Sequence, residues 1–235
     1  MATPLQVLPV RTAGAAENMA LDFLLLQRYP GPAAPRFRHY EWRGPAFTFG
    51  YSQKIGFVRA NLPAGEIFDL CRRPTGGGGV DHRNDWTYML VLPRGDALYD
   101  ERAARFYRIV HECLAAALVA LGQPAAVKME TAAGETGPGI CFQRAELHDV
   151  VNRTTGAKIA GAAQKRNKHG LLFQGSIDKG SMEPVDWDDF SARFSAALAR
   201  ALGATAQETP WPELNEDEVS GLMEQYSSPE WNEYR

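Results

Sequence analysis

Four consecutive glycines at residues 76–79 restrict the possible fold of this chain more than any other feature. Residues without Cβ atoms are unfavourable inside a helix or strand, so the run predicts a loop whose backbone can approach a ligand closely. Arg72 and Arg73 precede this glycine loop, and His82 follows it. The glycines alone also fit an ordinary flexible hairpin loop. The adjacent arginines favour a site for an anion or a carbonyl oxygen.

A second pattern begins at Lys158. The lysine opens a predicted strand in which small residues predominate as far as Ala163. Small side chains leave a groove beside the backbone with room for a slender acyl chain, and the lysine ammonium can reach the polar head of that ligand. A solvated, inert surface lysine is the alternative. We expect this lysine to be exposed or in a cleft, so that its replacement leaves the fold intact.

The chain has three cysteines, too few for a disulfide framework and without the spacing of a zinc site. Cys113 lies on the apolar face of a predicted helix and Cys71 lies inside a predicted strand, so both are expected to be buried and unreactive. Cys141 follows a segment rich in glycine and proline, 17 residues before Lys158. If neighbouring strands hold these two side chains together, a thiol–amine pair results.

Hydrophobic periodicity predicts one α/β domain spanning residues 1–235, without repeats or linkers. The predicted helices occupy residues 17–28 and 100–121, with two more beginning near Asp186 and Asn215. The predicted strands occupy residues 36–42, 46–51, 67–73, 87–92 and 125–130, followed by an antiparallel meander over 147–152, 157–163 and 171–177.

Composition limits the classes of function. Hydrophobic residues form 45% of the 235 residues and charged residues 23%, as in a globular protein. The net charge of -3 gives no broad electrostatic reason to bind nucleic acid or an acidic membrane surface. No apolar run is long enough to span a bilayer and no targeting signal is evident, so a cytoplasmic location is expected.

Two motifs together resemble a known family. The stretch Arg72-Arg73-Pro74-Thr75-Gly76-Gly77-Gly78-Gly79-Val80-Asp81-His82 resembles the RRxTGGGxVxH signature of lipoate–protein ligases and related octanoyltransferases. Lys158-Ile159-Ala160-Gly161 resembles their K-[IVL]-x-G motif, with Ala162, Ala163 and Gln164 following. Residues 18–22, 50–53, 174–176 and 226–232 resemble further landmarks. The resemblance implies a mixed, largely antiparallel sheet flanked by helices, as in the lipoate and biotin protein ligase catalytic domain.

Cys141 favours one branch of that family. Its context, Ile140-Cys141-Phe142, resembles an octanoyltransferase class that shares the ligase fold and has a nucleophilic cysteine upstream of its lysine. The resemblance implies acyl carrier protein as octanoyl donor, and a lipoyl domain or a glycine-cleavage H-type protein as acceptor. It implies no cofactor and no metal. Many ligases carry a C-terminal accessory domain, for which this length leaves no room.

The predicted mechanism is acyl transfer through a Cys141 thioester, with Lys158 assisting. Predicted substrate-binding residues are Arg72, Arg73, Thr75, Gly76, Gly77, Gly78, Gly79, His82, Gly161, Ala162 and Gln164. Three alternatives stay open at this point. The chain could be an ATP- and magnesium-dependent ligase, alone or with a partner subunit, in which Cys141 is incidental. It could instead be an amidotransferase between lipoyl-carrier proteins, or a non-enzymatic module that binds an acylated carrier.

Overall fold

A computed structural model describes residues 3–28, 34–130 and 144–234 of the chain. The strands are β1 (Leu5–Val7), β2 (Arg11–Ala13), β3 (Arg36–Trp42), β4 (Ala46–Phe49), β5 (Asp69–Arg72), β6 (Val80–Asp81), β7 (Asp85–Pro93), β8 (Ala125–Val127), β9 (Val150–Asn152), β10 (Lys158–Asn167), β11 (Gly170–Asp178) and β12 (Ala206–Glu208). The helices are α1 (Ala15–Gln27), α2 (Ile55–Ala60), α3 (Ala103–Ala120), α4 (Trp187–Ala201), α5 (Glu216–Ser227) and α6 (Pro229–Asn232).

The larger of two sheets runs in the order β12-β1-β3-β7-β11-β10-β9-β8, with β2 also paired to β3. Strands β3, β7, β11, β10, β9 and β8 pair antiparallel, whereas β1 is parallel to both β12 and β3. A mixed, largely antiparallel sheet flanked by helices is therefore confirmed, as predicted.

One face of this sheet carries the main apolar core. Alternate residues of its strands point to the same face, and here they are mostly aromatic or aliphatic, packed beneath α3 and α4. Phe194 of α4 meets Phe37 and Tyr88 edge-on, with ring centroids 5.5 and 5.1 Å apart. Such edge-to-face pairs add to the stability from area burial. Asp186 caps α4 by accepting hydrogen bonds from two backbone amides, as predicted.

The opposite face of the sheet packs against α1 and includes a buried ion pair. Arg38 of β3 and Asp22 of α1 are both fully buried, with 2.6 Å between nitrogen and oxygen. Arg38 also donates to the side chain and the carbonyl of Asn18. Burial raises the pKa of Asp22, opposed in part by the charge of Arg38. This polar layer lies under the site described below.

A smaller sheet, in the order β5-β4-β6, carries the glycine loop between β5 and β6. The loop is pressed against its neighbours, because a Cβ on Gly79 would lie 2.7 Å from the Phe47 ring. A Cβ on Gly50 would lie only 2.0 Å from the carbonyl oxygen of Gly77. Glycine is therefore required at both positions for this close approach. The smaller sheet thus holds the loop over the larger one.

Most predicted elements are present, with shifted ends. Strand β10 extends four residues beyond its predicted end at Ala163, and β9 begins at Val150, three residues after its predicted start. Short elements such as β1, β12 and α2 were not predicted.

Within the described residues, no helix has the length and apolar character needed to cross a membrane.

Candidate active site

A cavity lies between the larger sheet and the glycine loop. The strand β10 residue Ala163 lies 3.6 Å from where a Cβ on Gly77 would stand, so the loop and the lysine-bearing strand meet here. The residues lining the cavity are Met19, Tyr40, Trp42, Thr48, Arg73, Gly77, Val80, His82, Thr87, Gly161, Ala162, Ala163, Gln174, Gly175 and Ser176. Of the predicted site residues, Arg73, Gly77, His82, Gly161 and Ala162 are among them.

Arg73 shapes the glycine loop from inside the protein. Its guanidinium donates to the carbonyl oxygens of Gly76 and Gly78, at 3.0 and 2.7 Å. Gly77 between them has φ +86°, a conformation that favours glycine. The arginine therefore binds two carbonyls of the loop and fixes the loop's conformation beside the cavity.

Arg72, predicted to bind substrate, is not among the residues that line this cavity, and that role stays a prediction. Its guanidinium is fully buried and donates to the carbonyls of Trp231, Tyr51, Gln53 and Asn232. Arg72 ends β5 and Arg73 follows it, and successive residues of an extended segment point to opposite faces. Arg72 instead attaches the C-terminal segment to the smaller sheet.

His82 belongs to a chain of buried hydrogen bonds. Its Nε2 lies 2.7 Å from the Thr48 hydroxyl, and its Nδ1 lies 2.7 Å from a carboxylate oxygen of Asp85. The ring stacks on Trp42 with centroids 4.1 Å apart. The Thr48 hydroxyl also accepts a hydrogen bond from Arg73 at 2.8 Å. The histidine is thus connected through Thr48 to the arginine that shapes the loop.

Thr75 and Gln174 connect the glycine loop to the polar layer on α1. The buried Thr75 hydroxyl donates to the Gln174 side-chain oxygen at 2.7 Å. The Gln174 amide nitrogen then donates to Asp22 at 2.7 Å. Thr75 therefore supports the cavity through Gln174, which lines it.

Lys158 is buried and paired, contrary to the expectation of an exposed or cleft lysine. Its ammonium lies 2.7 Å from Asp149, and the two side chains are only 4% and 1% exposed. A Cβ on Gly161 would lie 2.6 Å from both the Lys158 ammonium and its adjacent carbon. The glycine three residues after the lysine therefore leaves the space in which the lysine side chain lies against the strand. Gly161 in turn lines the cavity.

Two further residues of β10 and α3 complete this end of the site. Tyr107 donates to Asp149 and accepts a hydrogen bond from the Ala162 backbone amide at 2.9 Å.

Gln164, predicted to bind substrate, lies on the other face of β10, opposite Phe173 in the register. Its amide donates to the carbonyl of Ala103 at the start of α3. That contact assigns Gln164 to the helix-covered face of β10, and its role in substrate binding stays a prediction.

Two of the three cysteines, Cys71 and Cys113, lie within the described residues. Burial raises the pKa of the Cys71 thiol, and it raises that of Cys113 to about 11, in agreement with the unreactive role expected for both. Cys141 lies outside the described residues, so its role as a nucleophile stays a prediction.

The arrangement combines groups that suit acyl transfer. A buried ammonium lies at one side of the cavity, beside Gly161. Backbone amides of a glycine loop are the kind of donor that stabilises a developing oxyanion. Sequence analysis missed Asp149, Tyr107, Thr48 and Asp85, which lie outside the two recognised motifs. Tyr107 and Thr48 also meet their partners across 42 and 34 positions of the chain. The Lys-x-x-Gly spacing was the available signal that something must pack beside the lysine.

Known proteins resemble this chain over most of its length. Octanoyltransferase LipM of Symbiobacterium thermophilum is 27% identical over 263 residues, covering 92% of this chain and 93% of that protein. Octanoyltransferase LipM of Bacillus cereus is 33% identical over 170 residues, covering 69% of this chain and 60% of that protein. Protein Ta0514 from T. acidophilum, solved with bound lipoic acid, superposes over all of both chains with a TM-score of 0.74 at 20% identity. Residues 14–202 match the family model for the lipoyl protein ligase A/B catalytic domain, so the chain belongs to that family.

Proposed function

We propose that this protein is an octanoyltransferase of protein lipoylation. It takes octanoate from the thioester of acyl carrier protein and delivers it to a lysine of a lipoyl domain or of a glycine-cleavage H-type protein. The relatives named Octanoyltransferase LipM support the activity. The observation that carries the proposal is the placement of the Lys158 ammonium beside Gly161, at a cavity bounded by the glycine loop.

The first step is thioester exchange. The Cys141 thiolate attacks the octanoyl carbonyl carbon, a new carbon–sulfur bond forms, and the bond to the carrier sulfur breaks. The departing sulfur takes a proton from the Lys158 ammonium. Because a thiolate is stabilised by a nearby positive charge, the same ammonium also favours the reactive form of Cys141. Amides of the glycine loop bind the oxyanion of the tetrahedral intermediate.

The second step forms the amide. The acceptor lysine amine attacks the Cys141 thioester, the carbon–nitrogen bond forms, and the carbon–sulfur bond to Cys141 breaks. Lys158, neutral after the first step, removes the proton that the attacking nitrogen loses. The thiolate and the ammonium are both restored. The cycle consumes no nucleotide, because the donor thioester is already activated.

The experiment is mass spectrometry of the full-length protein with octanoyl carrier alone. We expect a mass increase of one octanoyl group that hydroxylamine removes, followed by transfer to an added lipoyl domain. The Cys141→Ala variant should form no adduct. The matched control is Cys113→Ala, which removes a partly buried thiol on α3 and should be acylated like the original protein.

The result that would overturn the proposal is an enzyme that ignores octanoyl carrier. If transfer requires free octanoate or lipoate with ATP and magnesium, and Cys141→Ala retains activity, the protein is a ligase. If octanoate moves only from one lipoyl-carrier protein to another, it is an amidotransferase.

A further inference from the structure

We propose that Asp149 and Tyr107 are positioning residues, which hold the Lys158 ammonium at the point where it exchanges protons with the reacting groups. The proposal rests on the function proposed above and assigns roles to two residues that neither the motifs nor the family match identifies. It is argued from three contacts: lysine to carboxylate, carboxylate to its own turn, and carboxylate to tyrosine.

The lysine side chain needs a partner to adopt its position. The pairing of β10 with β9 shifts register between Lys158 and Ala160, so the lysine stands at an irregularity of the strand. Its side chain then lies along the sheet, over Gly161, with the ammonium 2.7 Å from the Asp149 carboxylate. A lysine has four rotatable side-chain bonds and its confinement costs conformational entropy, which this buried charge pair offsets.

The carboxylate is itself held by the turn that precedes β9. One Asp149 oxygen accepts a hydrogen bond from the Glu146 backbone amide at 2.6 Å. His148, immediately before it, has φ +69°, a conformation that costs a non-glycine residue energy. The His148 amide donates to the carbonyl of Lys128, and His111 contacts the His148 carbonyl at 2.7 Å. The surrounding contacts therefore fix the turn in the conformation that directs Asp149 to the lysine.

Tyr107 links this carboxylate to the cavity wall. Its hydroxyl donates to the second Asp149 oxygen and accepts from the amide of Ala162, which lines the cavity. The Tyr107 ring lies 4.2 Å from that of His111, one turn further along α3. A single hydroxyl thus connects α3, Asp149 and β10. Loss of the hydroxyl would remove one hydrogen bond from the carboxylate and one from the edge of the cavity.

This network acts on position more than on stability. Replacing a buried ion pair with neutral residues of similar volume is often neutral or stabilising, so the fold has no need of charges here. The pair instead keeps a proton-carrying ammonium beside the cavity in one orientation. Displacement of a catalytic group by about 1 Å can reduce a rate by about 10²-fold.

The test is a double-mutant cycle on the full-length protein. Asp149→Asn should lower kcat by roughly 10²-fold, and Tyr107→Phe by roughly tenfold, with KM for octanoyl carrier changed by less than about twofold. In a Lys158→Met background, Asp149→Asn should lower the rate no further, because it acts only through the lysine. Each rate is divided by the fraction of the variant that is folded at the assay temperature, which thermal melting measures.

Matched controls remove similar groups elsewhere. Asp96→Asn changes a carboxylate that accepts from the Leu98 amide, and Tyr99→Phe removes a hydroxyl that donates to the Asn167 carbonyl. Both should retain the original kcat. The positioning proposal is overturned if folded Asp149→Asn is as active as these controls, or if its effect multiplies with that of Lys158→Met. It is also overturned if KM rises while kcat stays constant.

The two proposals fail in different ways. If the original protein forms no hydroxylamine-sensitive adduct and uses ATP, the proposed function fails. The same cycle is then measured in the ATP-dependent reaction, where additive effects of Asp149→Asn and Lys158→Met would overturn the positioning proposal as well. Adduct formation by the original protein with an unaffected Asp149→Asn variant would overturn the positioning proposal alone.

Discussion

Removing Lys158 should destabilise the protein as well as inactivate it. Lys158→Ala leaves the Asp149 carboxylate, 1% exposed, without the cation that lies 2.7 Å away. Breaking a buried pair in this way costs about 3–5 kcal/mol, because the remaining charge is uncompensated. For a chain of this length, 1 kcal/mol corresponds to a shift of about 2–4 °C in Tm, so we expect Tm to fall by roughly 6–20 °C. Circular dichroism melting measures it.

A second variant separates stability from chemistry. Lys158→Met combined with Asp149→Asn removes both charges and keeps similar volumes, so its free energy of unfolding should return to within about 1.5 kcal/mol of the original. Its acyl transfer should stay at the low residual rate of Lys158→Met alone. Two results would refute this reasoning: Lys158→Ala melts at the original temperature, or the double variant is as unstable as Lys158→Ala. Either would show that an uncompensated Asp149 charge does not destabilise the folded protein.

Three other outcomes follow from the geometry. Gly161→Ala should reduce transfer by roughly 10²-fold, because its Cβ would displace the Lys158 side chain; Gly56→Ala, with open space around its Cβ, is the activity control that should behave like the original protein. Burial lowers the pKa of His111 to about 4, below its value of ~6.5 in the unfolded chain. Between these two pH values the unfolded chain binds a proton at His111 that the folded protein does not bind. The contribution of His111 to the free energy of unfolding is therefore present above pH ~6.5 and is lost as pH falls towards 4, by up to roughly 3 kcal/mol. Urea titrations at a series of pH values measure this, and the free energy of unfolding of His111→Gln should change less with pH than that of the original protein. Arg72→Lys should lower the urea midpoint through loss of contacts to the C-terminal segment, whereas an unchanged midpoint with reduced substrate affinity would place Arg72 at the cavity after all.

Local sequence signals determined much of the fold. The period of apolar residues identified α1, α3 and α4. Runs of aromatic and branched residues, bounded by turn-forming residues, identified β3, β7 and β11. Capping was equally local: Asn215 accepts from the Asp217 and Glu218 amides at the start of α5, as the residue types predict. These features depend on neighbours within a few positions, so the sequence alone contains them.

Local sequence signals did not predict the short strands β1 and β12. Strand β1 has three residues, and its register pairs Leu5 with Ala206 near the other end of the chain. A segment of that length has no measurable periodicity, and its structure depends on partners supplied by the completed sheet. The same reasoning applies to β12, all of whose residues are exposed.

The motifs located the site, but only tertiary structure decided the role of each residue in it. Arg72 and Arg73 are equivalent in sequence, yet one binds the C-terminal segment and the other the glycine loop, because strand pleating directs them to opposite faces. Lys158 is buried because it pairs with Asp149, from the turn before β9, and Tyr107 of α3 contacts the same carboxylate. Burial and charge pairing depend on residues distant in the chain, so packing determines them.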